Sequence, residues 1–222
     1  MVREFLKQEE HIYALAAEMN GLMIGNIKIA AYSSIATHWL PSVIKQFQID
    51  YPQIKIELME GIRQEVIKWL DNQKADLGFM SFQEPMNYDW IPLKEDPMLA
   101  ILPTNHPLAS SSFYPLSNCA YDKMIMPALG QDDDVIALFQ KYHIHPNIQF
   151  TTLENFAAMA MVEQGLGISV MNQLITEKRI CNIIKLPLKP SSFITLGIAC
   201  PSFYALSPAA KKFLQYCKKY IS

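Results

Sequence analysis

The chain reads as an α/β protein made of two units joined by two crossing strands, and three observations predict this. Residues 25–58 run as strand, polar corner (32–37), helix (40–51) and parallel strand (54–58). A second strand, loop and helix series begins at Lys123, with a strand over 124–126, a helix over 135–142 and a strand over 148–152. Apolar stretches 98–102 and 194–199, both beside prolines, carry the chain out of the first unit and back. Such a hinged pair of lobes has a cleft able to close on a small molecule.

Taken in order, residues 1–20 show helical spacing, with Phe5, Ile12 and Met19 every seventh position and Leu15 and Leu22 at a second offset. The seam is shorter than a coiled coil needs and Gln8 interrupts it, so a dimerising helix and a helix packed on its own domain both fit. Ile27 and Ile29 alternate as a strand entering a buried sheet. Ser33 and Ser34 stand where a helix begins, and their hydroxyls can cap its first amides or face a ligand. Pro41 lacks an amide hydrogen and is tolerated near a helix start; Leu40, Val43, Ile44 and Phe47 form the inward stripe, and Tyr51-Pro52 stops the helix. Parallel strands need a crossover, which puts the 32–37 corner at a carboxyl end of the sheet, where open α/β sheets bind ligands.

A turn over 60–65 leads to a helix over 66–72 with the stripe Val66, Ile67, Trp69 and Leu70. Arg63 stands near its amino end, where a cation opposes the helix dipole. Its fork either faces an anion in the same cleft as Ser33 and Ser34 or is an exposed surface arginine. Residues 76–80 form a buried strand in which Gly78 allows close approach. Residues 82–97, with Pro85, Pro92 and Pro97, read as loop and edge strand, and the exit from Pro103 to Leu108 as a boundary.

In the second unit Asp132, Asp133 and Asp134 open the helix, which suits its positive end and repels an incoming anion. Capping explains the triplet better than a divalent metal, since no glycine-punctuated calcium spacing follows. His143 and His145 read as loop residues. Thr151 with Glu154 matches a capping box, Gly165 a left-handed helix stop, and residues 166–171 a strand. After a strand over 183–186 and the returning one, Ser207-Pro208 starts a final helix with the stripe Phe213, Leu214, Cys217 and Ile221; Lys211, Lys212, Lys218 and Lys219 make a solvated face.

A formal charge of −2 and a pI near 6.2 exclude a general affinity for phosphate backbones. Cys119, Cys181, Cys200 and Cys217 form no CxxC pair, so neither a zinc site nor a disulfide framework is expected. No apolar run spans a bilayer, and Glu4, Glu9, Glu10 and Glu18 lie where a signal peptide would be apolar, so a cytoplasmic, membrane-free protein is expected.

Gly25 to Ile29, Leu40-Pro41, Tyr51-Pro52, Glu60-Gly61, Asp76 to Phe79, His106 to Ala109, Gly165 to Ile168 and Leu206 to Ala210, in this order and spacing, resemble the effector-binding regulatory domain of LysR-type transcriptional regulators. The resemblance implies the type 2 periplasmic-binding-protein fold, with two Rossmann-like subdomains: subdomain I over 22–102 and 203–222, subdomain II over 103–202. It makes 1–21 the end of a linker helix and places DNA recognition in a winged helix-turn-helix domain outside this sequence. It further implies a small-molecule effector held between the subdomains, a homodimer or homotetramer, no cofactor and no catalysis. Carried over by position, the effector contacts are Ser33, Ser34, Arg63, Phe79, Met80, Ser81, Leu129, Gly130, Gln131 and Thr151. No His or Cys falls among them. Two positions depart from the family: Arg63 replaces the usual serine or threonine and implies a more anionic ligand, and Asn172 replaces a proline, a change expected to matter only to a turn. A free-standing solute-binding protein of the same fold is the alternative.

Overall fold

Ile27 and Ile29 are fully buried on a strand flanked by two parallel neighbours within a mixed sheet. The computed structural model describes residues 24–178 and 180–221. The linker helix expected over 1–21 lies outside them. Strand β1 (Gly25–Ala31) is followed by α1 (Ser33–His38), α2 (Leu40–Asp50), β2 (Ile54–Glu60), α3 (Arg63–Asp71), β3 (Leu77–Ser81) and β4 (Asp89–Pro103). β1 pairs in parallel with β2, from Gly25 opposite Ile54 to Ala31 opposite Glu60, and with β3 on its other side.

The corner expected to be a loop is helical. Ile35 and Ala36 bury against the core and draw residues 33–38 into a turn, with the Ala36 amide on the Tyr32 carbonyl. α2 ends at Asp50 because Tyr51, before Pro52, adopts φ −130°. α3 begins at Arg63, earlier than its apolar stripe predicts, because the Glu65 carboxylate accepts the Ile62 amide at 3.0 Å and fixes the first turn. Gly78 makes room for side chains rather than backbone: a Cβ there would lie 2.8 Å from Leu70 Cδ1 and 3.0 Å from Val66 Cγ1.

The stretch expected as loop and edge strand over 82–97 is extended from Asp89 onward, and β4 is one 15-residue strand containing Pro92 and Pro97. Proline keeps an extended φ and costs a strand one donor at each position, which does not break so long a run.

The remaining elements are β5 (Tyr114–Pro115), β6 (Met124–Met126), α4 (Asp133–Lys141), β7 (Ile148–Thr151), α5 (Asn155–Glu163), β8 (Ser169–Asn172), β9 (Ile183–Lys189), β10 (Phe193–Cys200) and α6 (Pro208–Ile221). The chain divides into two compact units, one of residues 95–194 and one of the described residues on either side, and it passes between them within β4 and β10. In the first unit β10 pairs antiparallel with β3. α6 packs there too, capped by the Ser207 hydroxyl accepting the Ala210 amide at 3.2 Å, with Phe213 edge-on to Phe47 at 5.2 Å.

In the second unit β4 lies between β8 and β9, antiparallel to both, while β6 pairs in parallel with β7 and bridges to Ile168. The Asp132 carboxylate caps α4, accepting the Asp134 and Val135 amides, both at 3.2 Å. The capping box expected at Thr151 and Glu154 is not formed. Thr151 pairs with Met126 in the β6–β7 ladder, Thr152 Oγ1 donates to the Glu154 carbonyl, and Glu154 itself precedes the helix. Gly165 takes φ +75°, the left-handed stop its sequence predicts. Asn172 does more than shape a turn: it is buried, and its Nδ2 donates to Asp96 Oδ2, which also accepts the Leu174 amide at 3.1 Å.

Three outcomes follow from these contacts. Gly78→Ala forces α3 off β3 and lowers stability by about 1–3 kcal/mol, read as a reduced urea midpoint at unchanged slope. Asn172→Ala removes a donor from a buried carboxylate and costs about 1–3 kcal/mol in the same assay. Burial first, then the Asp134 carboxylate, push the Asp132 carboxyl up to about 6, against the two amides that pull it down. The folded state therefore holds this proton more tightly than the unfolded chain. The contribution of Asp132 to stability is therefore fully present below about pH 4 and is lost as pH rises through about 6, and Asp132→Asn, which retains the cap, removes that component of the pH dependence in urea melts across the window.

Candidate functional site

The carboxyl ends of β1, β2 and β3 meet in one polar corner. The ladder continues past the strands, with the Tyr32 amide on the Phe79 carbonyl at 3.0 Å and the Gly61 amide on the Ala31 carbonyl at 3.1 Å. These bonds fix Tyr32 beside Ser81, and their hydroxyls lie 3.1 Å apart. Arg63, the first residue of α3, is 9% exposed, which excludes the surface-arginine reading. Its Nη1 donates to the Ser81 carbonyl at 2.6 Å, an acceptor that offsets the cost of holding a cation at a positive helix end. Its Nε and Nη2 have no hydrogen-bond partner among the described residues. The guanidinium charge also reaches Tyr88: burial, then the hydrogen bond to Asp71, push this phenol up to about 12, while Arg63 pulls the other way.

The structure brings Arg63 and Ser81 together and adds Tyr32, which the sequence placed in the corner without a role. Its position as the first residue after β1, directly before two serines, was the available signal. Ser33 and Ser34 occupy the first turn of α1, but neither caps it: Tyr32 is the capping residue and no side-chain bond closes the turn. Phe79 and Met80 are fully buried, Met80 among Ala30, Val66, Leu70 and Ala199, so they support the corner from beneath.

The second unit has its own corner at the ends of β6 and β7. Ala128, Leu129 and Gly130 take φ of +51°, +52° and +82° in succession, a conformation that non-glycine residues hold only under strong local constraint. That constraint is a full set of backbone bonds: the amides of Ala128, Leu129, Gly130 and Gln131 donate to the carbonyls of Leu153, Thr152, Pro127 and Ala128. No amide of this turn remains for a ligand. The corner instead presents side chains: Leu129, 59% exposed, Gln131, and Thr151, whose methyl would lie 3.6 Å from a Cβ at Gly130. The acids of the first turn of α4 follow directly.

A third polar cluster holds the proline-flanked exit. His106 Nδ1 accepts the Leu108 amide at 3.1 Å, its Nε2 lies 3.3 Å from Asp122 Oδ2, and the Tyr114 hydroxyl donates to the same oxygen at 2.7 Å. Both imidazole nitrogens are engaged, so this histidine braces a loop. Among the described residues no group of His, Cys, Asp and Glu could hold a metal ion, and no helix is long and apolar enough to cross a membrane.

Residues 20–222 match the family model of the LysR substrate binding domain. The HTH-type transcriptional regulator YvbU of Bacillus subtilis is 29% identical over 221 residues, covering 98% of this chain and 75% of that protein. Among solved structures, the effector binding domain of QuiR in complex with shikimate has a TM-score of 0.78 at 24% identity, covering 89% of this chain and 97% of that one. The CcmR regulatory domain of Synechocystis PCC6803 in complex with 2-PG has a TM-score of 0.81 at 21% identity over the same shares. These two likenesses establish the type 2 periplasmic-binding-protein-like fold. With its two α/β units joined through β4 and β10 and a family model spanning nearly its whole length, this chain belongs to the LysR substrate binding domain family, whose role is regulatory effector binding and not catalysis.

Proposed function

We propose that this chain is the sensing module of a LysR-type regulator and that its effector is a small anionic metabolite whose carboxylate or equivalent group binds Arg63. The observation that carries this reading is the half-satisfied guanidinium. Arg63 is nine-tenths buried at the ends of the parallel strands, fixed by Nη1 bonds to the Ser81 carbonyl and, at 3.5 Å, to the Ser81 hydroxyl. A planar fork held in this way retains donors suited to an anion, and its low exposure strengthens the attraction. The Ser33 and Ser34 hydroxyls, on the turn that follows β1, complete the anion's hydrogen bonds.

In this reading Leu129, Gly130, Gln131 and Thr151 contact the uncharged remainder of the effector. Their turn offers no free amide and is followed by three carboxylates, which disfavours a second anionic group on that side. Ligands named for related domains, shikimate for QuiR and 2-PG for CcmR, support a small polar metabolite as the ligand class. The effector acts by its difference in affinity for two poses of the subdomains. A cytoplasmic homodimer or homotetramer passes that difference to DNA through a winged helix-turn-helix domain.

A melting-temperature screen against small carboxylates identifies binders, because a ligand specific to the folded state raises the midpoint. For any binder so found, Arg63→Met weakens binding at least tenfold in calorimetric titration, and Arg63→Lys recovers part of it. Unchanged affinity in Arg63→Met, with the variant folded by circular dichroism, disproves an anion at this residue.

A further inference from the structure

Past Ser81 the chain leaves a shallow, open groove of about 710 Å³ lined by Phe82, Glu84, Pro85, Met86, Tyr88 and Trp90. The walls are held from below: Met86, Tyr88 and Trp90 pack against the cluster of Ala30, Val66, Leu70, Met80 and Ala199. Phe82 and Trp90 meet with ring centroids 5.5 Å apart and planes tilted by 55°, and Phe82 remains 39% exposed. The Tyr88 hydroxyl is committed to Asp71, leaving its ring as the part that lines the groove.

One side chain of the lining carries a charge, and it is negative. Glu84 is exposed and has no partner among the described residues. Aromatic faces carry negative potential and attract cations, most strongly at Trp. Three aromatic rings, a methionine and one free carboxylate thus form a surface complementary to a positive charge on an apolar body. Arg63 does not contribute to this lining; it is buried beside it and bonded to the Ser81 carbonyl.

We propose that this groove is a second binding site, separate from the Arg63 corner, for a small organic cation such as a quaternary ammonium or a protonated amine with an apolar substituent. The Phe82–Trp90 pair and the Tyr88 ring receive the cation, and Glu84 serves as counter-ion. Nothing in the groove would distinguish the cation's chemical origin, so selectivity rests on charge and on fit to the rings.

The test uses benzyltrimethylammonium as probe, with benzyl alcohol and benzoate as the neutral and anionic counterparts of the same ring. The expected result is saturable quenching of tryptophan fluorescence by the cation and not by the other two, weakened at least threefold by Glu84→Gln and abolished by Glu84→Lys. Trp90→Leu removes the quenching. Because Glu84 is exposed, both Glu84 variants keep the parent melting temperature, which separates lost binding from lost folding. Equal binding of benzyl alcohol or benzoate, unchanged binding in Glu84→Lys, or no saturation by the cation overturns the proposal. So does concentration-dependent self-association in sedimentation that Glu84→Lys abolishes, since the groove would then be occupied by a second copy of the chain.

Discussion

The constraint on which the first unit rests is the burial of β1 between two parallel neighbours. A strand flanked on both sides in the same direction must bury its apolar side chains and end all three strands at one edge. Ile27, Ile29 and Ala31 bury one face, the two isoleucines at about 1.5–3 kcal/mol each, and Ala30 buries the carboxyl end of the other, on which Asn26 and Lys28 stay exposed. The second requirement creates the corner. Once β1, β2 and β3 terminate together, Tyr32, Gly61, Arg63 and Ser81 are neighbours despite their separation in the chain, and the Tyr32 and Gly61 amides extend the ladder beyond the strands to hold them. The corner is thus a by-product of sheet geometry, and its chemistry depends on which side chains occupy it.

Arg63 shows how such a position is stabilised against local electrostatics. A cation in the first turn of a helix lies against the positive end of the dipole, and burial adds a desolvation cost. Two contacts offset this: the Ser81 carbonyl at 2.6 Å and the Ser81 hydroxyl at 3.5 Å, both accepting from Nη1. The balance leaves the guanidinium positioned but not consumed. A lysine would carry the charge but lack the second arm of the planar fork.

Much of this was legible in the sequence because it depends on short-range periodicity. The alternation around Ile27 and Ile54, the stop at Tyr51-Pro52, the left-handed Gly165 and the capped start at Ser207-Pro208 are all set by neighbours a few residues apart. The failures have a common cause in longer-range contacts. Residues 33–38 became helical because Ile35 and Ala36 found a core. Pro92 and Pro97 were absorbed into β4 by a long strand context. Thr151 was drawn from a helix cap into a ladder by Met126. In the site, Arg63 and Ser81 were named separately, but the bond joining them, and the part played by Tyr32, depend on strand ends meeting in space. The burial of Asn172 against Asp96 spans 76 residues and leaves no periodic trace.

The two corners use opposite strategies, and the difference is chemical. In the first unit, backbone bonds hold Arg63, whose Nε and Nη2 carry no hydrogen bond among the described residues. In the second, the turn at Ala128, Leu129 and Gly130 spends every amide on internal carbonyls, and these bonds offset three successive positive φ values. A strained turn so fully bonded gains rigidity and gives up the anion-binding capacity that loops before helices often have. The cap on α4 reinforces that loss, because Asp132 fills the helix end with a carboxylate of the chain's own and Asp133 and Asp134 extend the negative field. The first corner therefore carries a cation, whereas the second is rigid and acidic and bears Leu129, Gln131 and Thr151. A substitution that moves charge from one to the other would have to undo either the sheet edge that positions Arg63 or the cap that starts α4.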